Sequence, residues 1–248
     1  MLAELKMELK NDSLDFRQSS NLQGVIMERI DSDYADVLHS SRLNPYSQCL
    51  IREGEKKIWY IRTVTQEAYE KILLPLVRLD EFSIKNGMCK VAIANRTLES
   101  CSEDALMEEF YQKKCPKYLT INFQTPTAFK RDGAYIIYPD LRLVYGSLMR
   151  KYSAASGQWD MSDDTTLEQL ISDSVIVRYQ LKTAAFPLEK VKITGFYGNI
   201  CIHIKGSETM ARYVRLLLRF GKYSGIGIKT GIGMGAVSLA DWSEKNER

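Results

Sequence analysis

The chain has 248 residues, of which 45% are hydrophobic and 26% are charged, and its formal net charge is +3. This length suits two compact domains, and no segment approaches the roughly 18 consecutive apolar residues of a membrane-spanning helix. The first ten residues alternate apolar and charged side chains, unlike a secretion signal. We therefore expect a cytoplasmic protein that does not associate with a membrane.

Cysteine and histidine usage argues against a metal centre. The five cysteines are widely scattered, without a close pair or a metal-ligand spacing. The only histidines are His39 and His203, so a closed zinc site would need ligands from distant segments. We expect reduced thiols, no bound metal and no cofactor.

The first half of the chain has the pattern β-α-β-β-α-β. Residues 3–9 alternate apolar and charged side chains, which predicts a half-buried strand with the odd positions inward. A helical pattern follows and ends at His39. Two strands of a hairpin are then predicted at residues 47–53 and 57–64. A helix at 66–77 and a short strand at 88–94 complete the order.

The second half repeats this order after a proline at position 116. We predict a strand at residues 118–124, a helix at 141–152, a strand at 175–182 and a hairpin turning at Tyr197-Gly198-Asn199. A helix capped by Ser207 is predicted to run through Phe220 and to stop at Gly221, before a last strand at 236–239. The chain is therefore expected to be α+β, with tandem ferredoxin-like domains at residues 1–116 and 117–248.

Basic residues and glycines concentrate near the C-terminus. Residues 205–231 hold six basic side chains and one acid, and residues 221–235, the glycine-rich segment, hold six glycines. Glycine permits positive φ and close approach of a ligand, so successive backbone amides can converge on phosphate oxygens. The alternative to phosphate binding is that the segment is only a flexible turn between a helix and a strand. Walker A and dinucleotide motifs do not fit, because a helix precedes the segment instead of following it.

The segment FGKYSGIGIKTGIGMGAVSL, at residues 220–239, resembles the C-terminal signature of the CRISPR-associated repeat-RNA endoribonucleases of the RAMP superfamily. The stretches HSSRLNPYS and TPTAFKRDGAYIIYPD and the helix at 141–152 agree with it, in order and in both halves. The resemblance implies metal-independent cleavage of CRISPR repeat RNA that leaves a 2′,3′-cyclic phosphate and a 5′-hydroxyl. It also implies that His39, just after the first helical region, is the catalytic histidine.

Other site residues are predicted around these two features. Arg42, Tyr46 and Tyr34 are candidates to assist His39, whose alternative role is to end a helix. A pair formed with His203 is a weaker alternative. The predicted RNA-binding residues are Lys130, Arg131, Arg215, Arg219, Lys222, Gly225, Gly227, Lys229, Gly231, Gly233 and Gly235.

The expected partner is CRISPR repeat RNA, and both a homodimer and association with a CRISPR effector complex are open. The main alternative function is a RAMP-type subunit that binds guide RNA without cleaving it. Such a subunit would keep the basic loop and tolerate loss of His39.

Overall fold

The computed structural model describes residues 1–10, 14–41, 43–84, 89–188 and 191–240. The strands are β1 Leu2–Lys10, β2 Tyr46–Glu53, β3 Lys56–Thr63, β4 Glu81–Ile84, β5 Cys89–Cys101, β6 Tyr118–Thr127, β7 Phe129–Arg131, β8 Ala134–Ile136, β9 Ser174–Pro187, β10 Lys192–Ile204 and β11 Val237–Ala240. The helices are α1 Ser19–Arg29, α2 Ser32–Ser40, α3 Gln66–Ala68, α4 Leu74–Leu76, α5 Glu103–Gln112, α6 Leu141–Ala155, α7 Asp164–Ser172 and α8 Glu208–Ser224. A π-helical turn, Tyr69–Leu73, joins α3 to α4. None of the described helices has the length and apolarity needed to cross a membrane.

The first half forms one antiparallel sheet in the order β2-β3-β1-β5-β4. On the central strand β1, the odd positions from Ala3 to Leu9 are buried, as their alternation predicts. They share a core with α1, α2 and the α3–α4 segment, including Leu22 and Ile72. The order β5-β1-β3-β2 is that of a ferredoxin-like unit, to which β4 adds an edge strand.

The prediction of a short strand at residues 88–94 was wrong in length, and β4 was missed. The β5 strand spans 13 residues and pairs with β1 from Ala92 to Cys101, while its first residues pair with β4. Its polar middle, residues 95–97, reads as a loop because those side chains are not in the buried core. The four-residue β4 is too short for its alternation to be recognised.

The second half forms an antiparallel sheet in the order β11-β6-β10-β9, with α6 and α8 packed in the same buried cluster. The predicted hairpin at Tyr197-Gly198-Asn199 was wrong, because β10 continues straight through these residues. Gly198 has φ +118° where the pairing with β6 shifts register, so this glycine marks a β-bulge. The two sheets confirm the predicted α+β fold with tandem ferredoxin-like units.

The last helix is longer than predicted. Ser207 caps α8 by accepting a hydrogen bond from the Met210 N–H, as expected. The helix continues past Gly221 and ends after Ser224, because the backbone leaves the helical conformation at Gly225, where φ is +65°. Residues 225–235, called the glycine-rich loop below, then lead back toward β11.

The two halves pack closely against each other. Leu2 and Val64 of the first half belong to the same buried cluster as the apolar residues of α8. Lys222 of α8 also pairs with the mostly buried Glu4 of β1 at 3.0 Å. The boundary between residues 116 and 117 lies between α5 and β6 and stays a prediction, since α5 itself packs on α8.

Candidate active site

A cavity of about 570 Å³ lies between the two halves and is called the central cavity. Its wall combines residues of α1, the end of α2 and the segment before β2 with residues of β7, α6 and the glycine-rich loop. Side chains that are far apart in sequence, such as His39 and Lys229, therefore share one surface.

His39 lies in the last turn of α2, on the cavity wall, and is exposed. The Asp31 carboxylate starts this helix by accepting hydrogen bonds from the N–H groups of Asp33 at 3.1 Å and Tyr34 at 3.3 Å. The predicted position of His39 at a helix end is therefore confirmed.

The wall of the central cavity is cationic. Besides His39 it contains Lys130, Arg150, Lys151 and Lys229, and no carboxylate occurs among its described lining residues. A concave surface lined by one sign of charge concentrates its field and attracts polyanions. The cavity thus suits the phosphates of a nucleic acid.

Lys151 is the buried member of this set, with 8% of its surface exposed. Its ammonium donates hydrogen bonds to the carbonyls of Ser224 at 3.1 Å and Gly225 at 3.0 Å, and to the Thr230 hydroxyl at 3.3 Å. Burial, with a contribution from Arg150, lowers the pKa of Lys151 to about 7. Lys151 thereby joins α6 to the end of α8 and to the glycine-rich loop.

The glycines of the loop serve close packing. At Gly227, φ is +84° and a Cβ would overlap the Ala128 carbonyl oxygen; at Gly235, φ is +70° and a Cβ would overlap the Ile226 carbonyl oxygen. Lys229, at φ +58°, is one of two described non-glycine residues with positive φ, and its side chain is exposed on the cavity wall.

The expectation that successive glycine amides point at phosphate was wrong for three positions. The Gly225 N–H donates to the Gly221 carbonyl at 2.9 Å, and the Gly235 N–H to the Pro126 carbonyl at 3.1 Å. The Gly227 N–H donates to the Ser147 hydroxyl at 3.2 Å. These amides hold the loop in place, and the cavity's positive charge comes mainly from side chains.

Of the predicted assistants to His39, Tyr46 is on the cavity wall and Tyr34 is not. Tyr46 is buried, and its hydroxyl accepts a hydrogen bond from the Gln23 amide at 3.4 Å. Burial raises the pKa of Tyr46 to about 12, although the Gln23 bond opposes the change. Tyr34 is buried in α2 with the Lys71 ammonium 5.4 Å from its ring centre. Arg42 lies outside the described residues.

The two basic residues of β7 have different positions. Lys130 is exposed and contributes to the cavity wall. Arg131, the next residue, pairs with Asp140 at 3.6 Å and is not among the described lining residues. Neighbouring side chains on a strand point to opposite faces, which explains the separation.

Arg215, one of the predicted RNA-binding residues, does not lie on an exposed face of α8. It is 6% exposed, and its guanidinium donates to the carbonyls of Lys114 at 2.7 Å, Glu109 at 3.0 Å and Lys113 at 3.1 Å. The carbonyls of Lys113 and Lys114 follow the end of α5, and the Glu109 carbonyl in its last turn also accepts the Lys113 N–H at 3.1 Å. Arg215 therefore attaches α5 to α8.

Arg219 and Lys222 also have intramolecular partners. Arg219 pairs with Glu109 at 3.3 Å, and Lys222 pairs with Glu4 at 3.0 Å. Neither is among the described residues that line the central cavity. The three α8 residues that were predicted to bind RNA therefore all have partners inside the protein. Arg215 and Arg219 contact α5, and Lys222 contacts β1 of the first half.

Arg150 and Lys151 were missed as cavity residues. The helical pattern of residues 141–152 does place position 151 next to the apolar face, beside Leu148 and Tyr152. A lysine there is unusual, since lysine is almost never fully buried without a partner. A lysine beside the apolar face of this helix was therefore the sequence signal that could have identified Lys151.

The cysteines are free thiols, and Cys49, Cys115 and Cys201 are buried. In the described ranges, no three His, Cys, Asp or Glu side chains are grouped so as to hold a metal ion. The ionisable side chains among the described lining residues are one histidine, one tyrosine, three lysines and one arginine.

Known proteins resemble this chain along most of its length. The profile of the family "CRISPR-associated endoribonuclease Cas6" matches residues 121–237. A CRISPR-associated endoribonuclease Cas6 of Streptococcus thermophilus is 35% identical over 218 residues, which cover 88% of this chain and 89% of the relative. One from Mycobacterium tuberculosis is 33% identical over 222 residues, covering 88% of this chain and 70% of the relative. The solved structure of a Cas6 product complex has a TM-score of 0.81 at 22% identity and matches 97% of this chain and 99% of that one, which supports the fold.

Proposed function

The chain belongs to the CRISPR-associated endoribonuclease Cas6 family, and we propose that it cuts CRISPR precursor RNA within the repeats, without a metal ion, to produce guide RNA. The observation that carries this proposal is the position of His39, exposed in the last turn of α2 on the wall of a cavity that also exposes Lys130, Arg150 and Lys229. The wall supplies both a proton-transfer group and positive charge for a phosphate.

The proposed step uses a nucleophile that RNA itself carries. The ribose 2′-oxygen attacks the adjacent phosphorus and loses its proton to a base, and the bond from phosphorus to the 5′-oxygen breaks. The departing oxygen takes up a proton, so the products are a 2′,3′-cyclic phosphate and a 5′-hydroxyl. His39 carries one of the two proton transfers, because imidazole exchanges protons near neutral pH.

Positive side chains would stabilise the pentavalent phosphate that forms during the attack. Lys130, Arg150 and Lys229 are exposed on the cavity wall and supply charge from β7, α6 and the glycine-rich loop. Tyr46 stays protonated near neutral pH because its pKa is about 12. It can therefore hydrogen-bond to a phosphate oxygen but does not act as the base.

The test is incubation of the purified protein with labelled repeat RNA in EDTA, alongside the same RNA with a 2′-deoxy residue at the scissile position. We expect one cut in the normal RNA, a cyclic phosphate on the upstream fragment, and no cut in the deoxy substrate. Cleavage of the deoxy RNA, or loss of cleavage in EDTA, would contradict the mechanism. Binding without any cleavage would support a non-catalytic RNA-binding subunit instead. Dimerisation, association with an effector complex and a cytoplasmic location stay predictions.

A further inference from the structure

We infer that Lys151 is a positioning residue that fastens the glycine-rich loop to the end of α8, and that it takes up a proton when repeat RNA enters the central cavity. This inference rests on the proposed binding of RNA in that cavity. Lys151 is largely buried, whereas Lys130, Arg150 and Lys229 are exposed on the cavity wall. Lys151 therefore acts through the loop and not by direct contact with the reacting atoms.

The surroundings of Lys151 accommodate both of its protonation states. A charged ammonium donates to all three oxygens that it contacts, on Ser224, Gly225 and Thr230. A neutral amine has two donors and one acceptor. It can keep donating to the two carbonyls and accept a hydrogen bond from the Thr230 hydroxyl, so all three oxygens keep a partner after the ammonium loses its proton.

The charged state lacks a carboxylate in its described surroundings. The ammonium donates hydrogen bonds to two carbonyls and a hydroxyl, all neutral. The helix dipole of α8 favours a cation at Ser224 only partly. An RNA phosphate in the cavity would supply the missing negative charge and favour protonation.

The other cations on the cavity wall disfavour a charge on Lys151 in the free protein, and Arg150 contributes to its lowered pKa. A bound phosphate offsets this repulsion. His39 of α2, Lys130 of β7, Arg150 of α6 and Lys229 of the loop share the cavity wall, and each favours binding of an anion. Tyr46 of β2 is neutral near neutral pH. At the end of α8, Lys222 is paired with Glu4, and burial raises the pKa of Tyr223 to about 12.

The direction of the pH effect follows from linkage. The pKa of Lys151 is about 7 without RNA, and a bound phosphate raises it. The complex then holds more protons than the free protein above that pH, so affinity falls as the pH rises. One proton taken up corresponds to a change in Kd of about tenfold per pH unit at most.

The probe is repeat RNA with a 2′-deoxy residue at the scissile position, which removes the nucleophile. Its Kd is measured from about pH 7 to about pH 8.5 in His39→Ala protein, because an imidazole can also change charge near neutrality. We expect the affinity to fall across this range. Adding Lys151→Met should abolish the slope, whereas the matched change Lys130→Met should weaken binding and preserve the slope.

A calorimetric measurement covers the case in which Lys151→Met does not fold. The heat of RNA binding to His39→Ala protein is compared in two buffers of different ionisation enthalpy, and the difference should show net proton uptake. No uptake, or a slope that persists in folded Lys151→Met protein, would overturn the inference. If the RNA did not bind at all, both this inference and the proposed function would fail. If RNA is bound and cut with no proton uptake, only this inference fails.

Discussion

The ring of Tyr46 lies directly against the backbone of Gly231: a Cβ added to Gly231 would be 3.1 Å from both Cζ and the hydroxyl oxygen of Tyr46. The same Cβ would be 3.3 Å from Nδ2 of Asn44. Tyr46 and Asn44 belong to the first half of the chain, and Gly231 belongs to the glycine-rich loop of the second. Because Gly231 has no side chain, the glycine-rich loop can approach the first half this closely.

Gly231→Ala should push the loop away from Tyr46. Gly231 is not among the described residues with positive φ, so the change tests packing without backbone strain. We expect a loss of about 1–3 kcal/mol in the free energy of unfolding and about a tenfold slower single-turnover cleavage as the loop moves. Urea denaturation and rapid quench measure the two effects. Gly157→Ala is the control, because nothing lies within 4 Å of its added Cβ, and equal effects from both changes would contradict the packing argument.

Tyr46→Phe should slow cleavage without changing the shape of its pH profile. Since burial raises the pKa of Tyr46 to about 12, the hydroxyl does not titrate in the working range. Loss of one hydrogen bond of about 1 kcal/mol corresponds to about a fivefold lower rate. The matched change is Tyr111→Phe on an exposed ring of α5, which should have no effect. An alkaline limb that disappears in Tyr46→Phe would mean that the phenol does titrate during the reaction.

Lys229→Ala and Arg215→Met should separate RNA binding from folding. Lys229 is exposed on the cavity wall, so its removal should weaken RNA binding and reduce the slope of log K against log salt by about one, with little change in stability. Arg215 holds three carbonyls near the end of α5, so its loss should lower the melting temperature first. A large fall in RNA affinity in folded Arg215→Met protein at unchanged stability would restore it to the RNA surface.

Glu4→Gln should destabilise the contact between the halves. Glu4 pairs with the buried Arg62 and with Lys222. Burial alone would raise the pKa of Glu4, but these two cations hold it below its usual value of 4.5. Removing the charge leaves Arg62 buried without its partner, which should cost about 3–5 kcal/mol.

The pH dependence of this effect has a definite sign. A carboxylate with a lowered pKa stabilises the fold above its ordinary pKa, and this stability is lost as the pH falls through the lowered value. The difference between wild type and Glu4→Gln should therefore shrink from about pH 5 to about pH 3. Glu55→Gln, at an exposed pair with Arg52, should show no difference. A gap for Glu4→Gln that stays constant across this range would rule out the ion pair as its cause.

Local patterns in the sequence predicted the fold better than the site. Alternation in β1, the cap at Ser207 and the position of His39 at a helix end depend on neighbouring residues, and all three were correct. Gly198 reads as a turn residue, but it accommodates a bulge that only the pairing of β10 with β6 requires. Arg215 reads as a solvent-facing base because the end of α5 that it contacts is about a hundred positions away. Lys151 likewise donates its hydrogen bonds to oxygens of a distant segment, residues 224–230.

The most direct test of the central claim compares His39→Ala with His203→Ala in single-turnover cleavage of repeat RNA. His203 is the matched control, because its ring stacks on Tyr118 at 4.5 Å and it is not among the described lining residues of the cavity. We expect His39→Ala to bind RNA with nearly wild-type affinity but to cleave about 10²–10⁴-fold more slowly, while His203→Ala cleaves at the wild-type rate. Undiminished cleavage by His39→Ala, or a comparable loss in His203→Ala, would contradict the assignment of His39 as the group that transfers the proton.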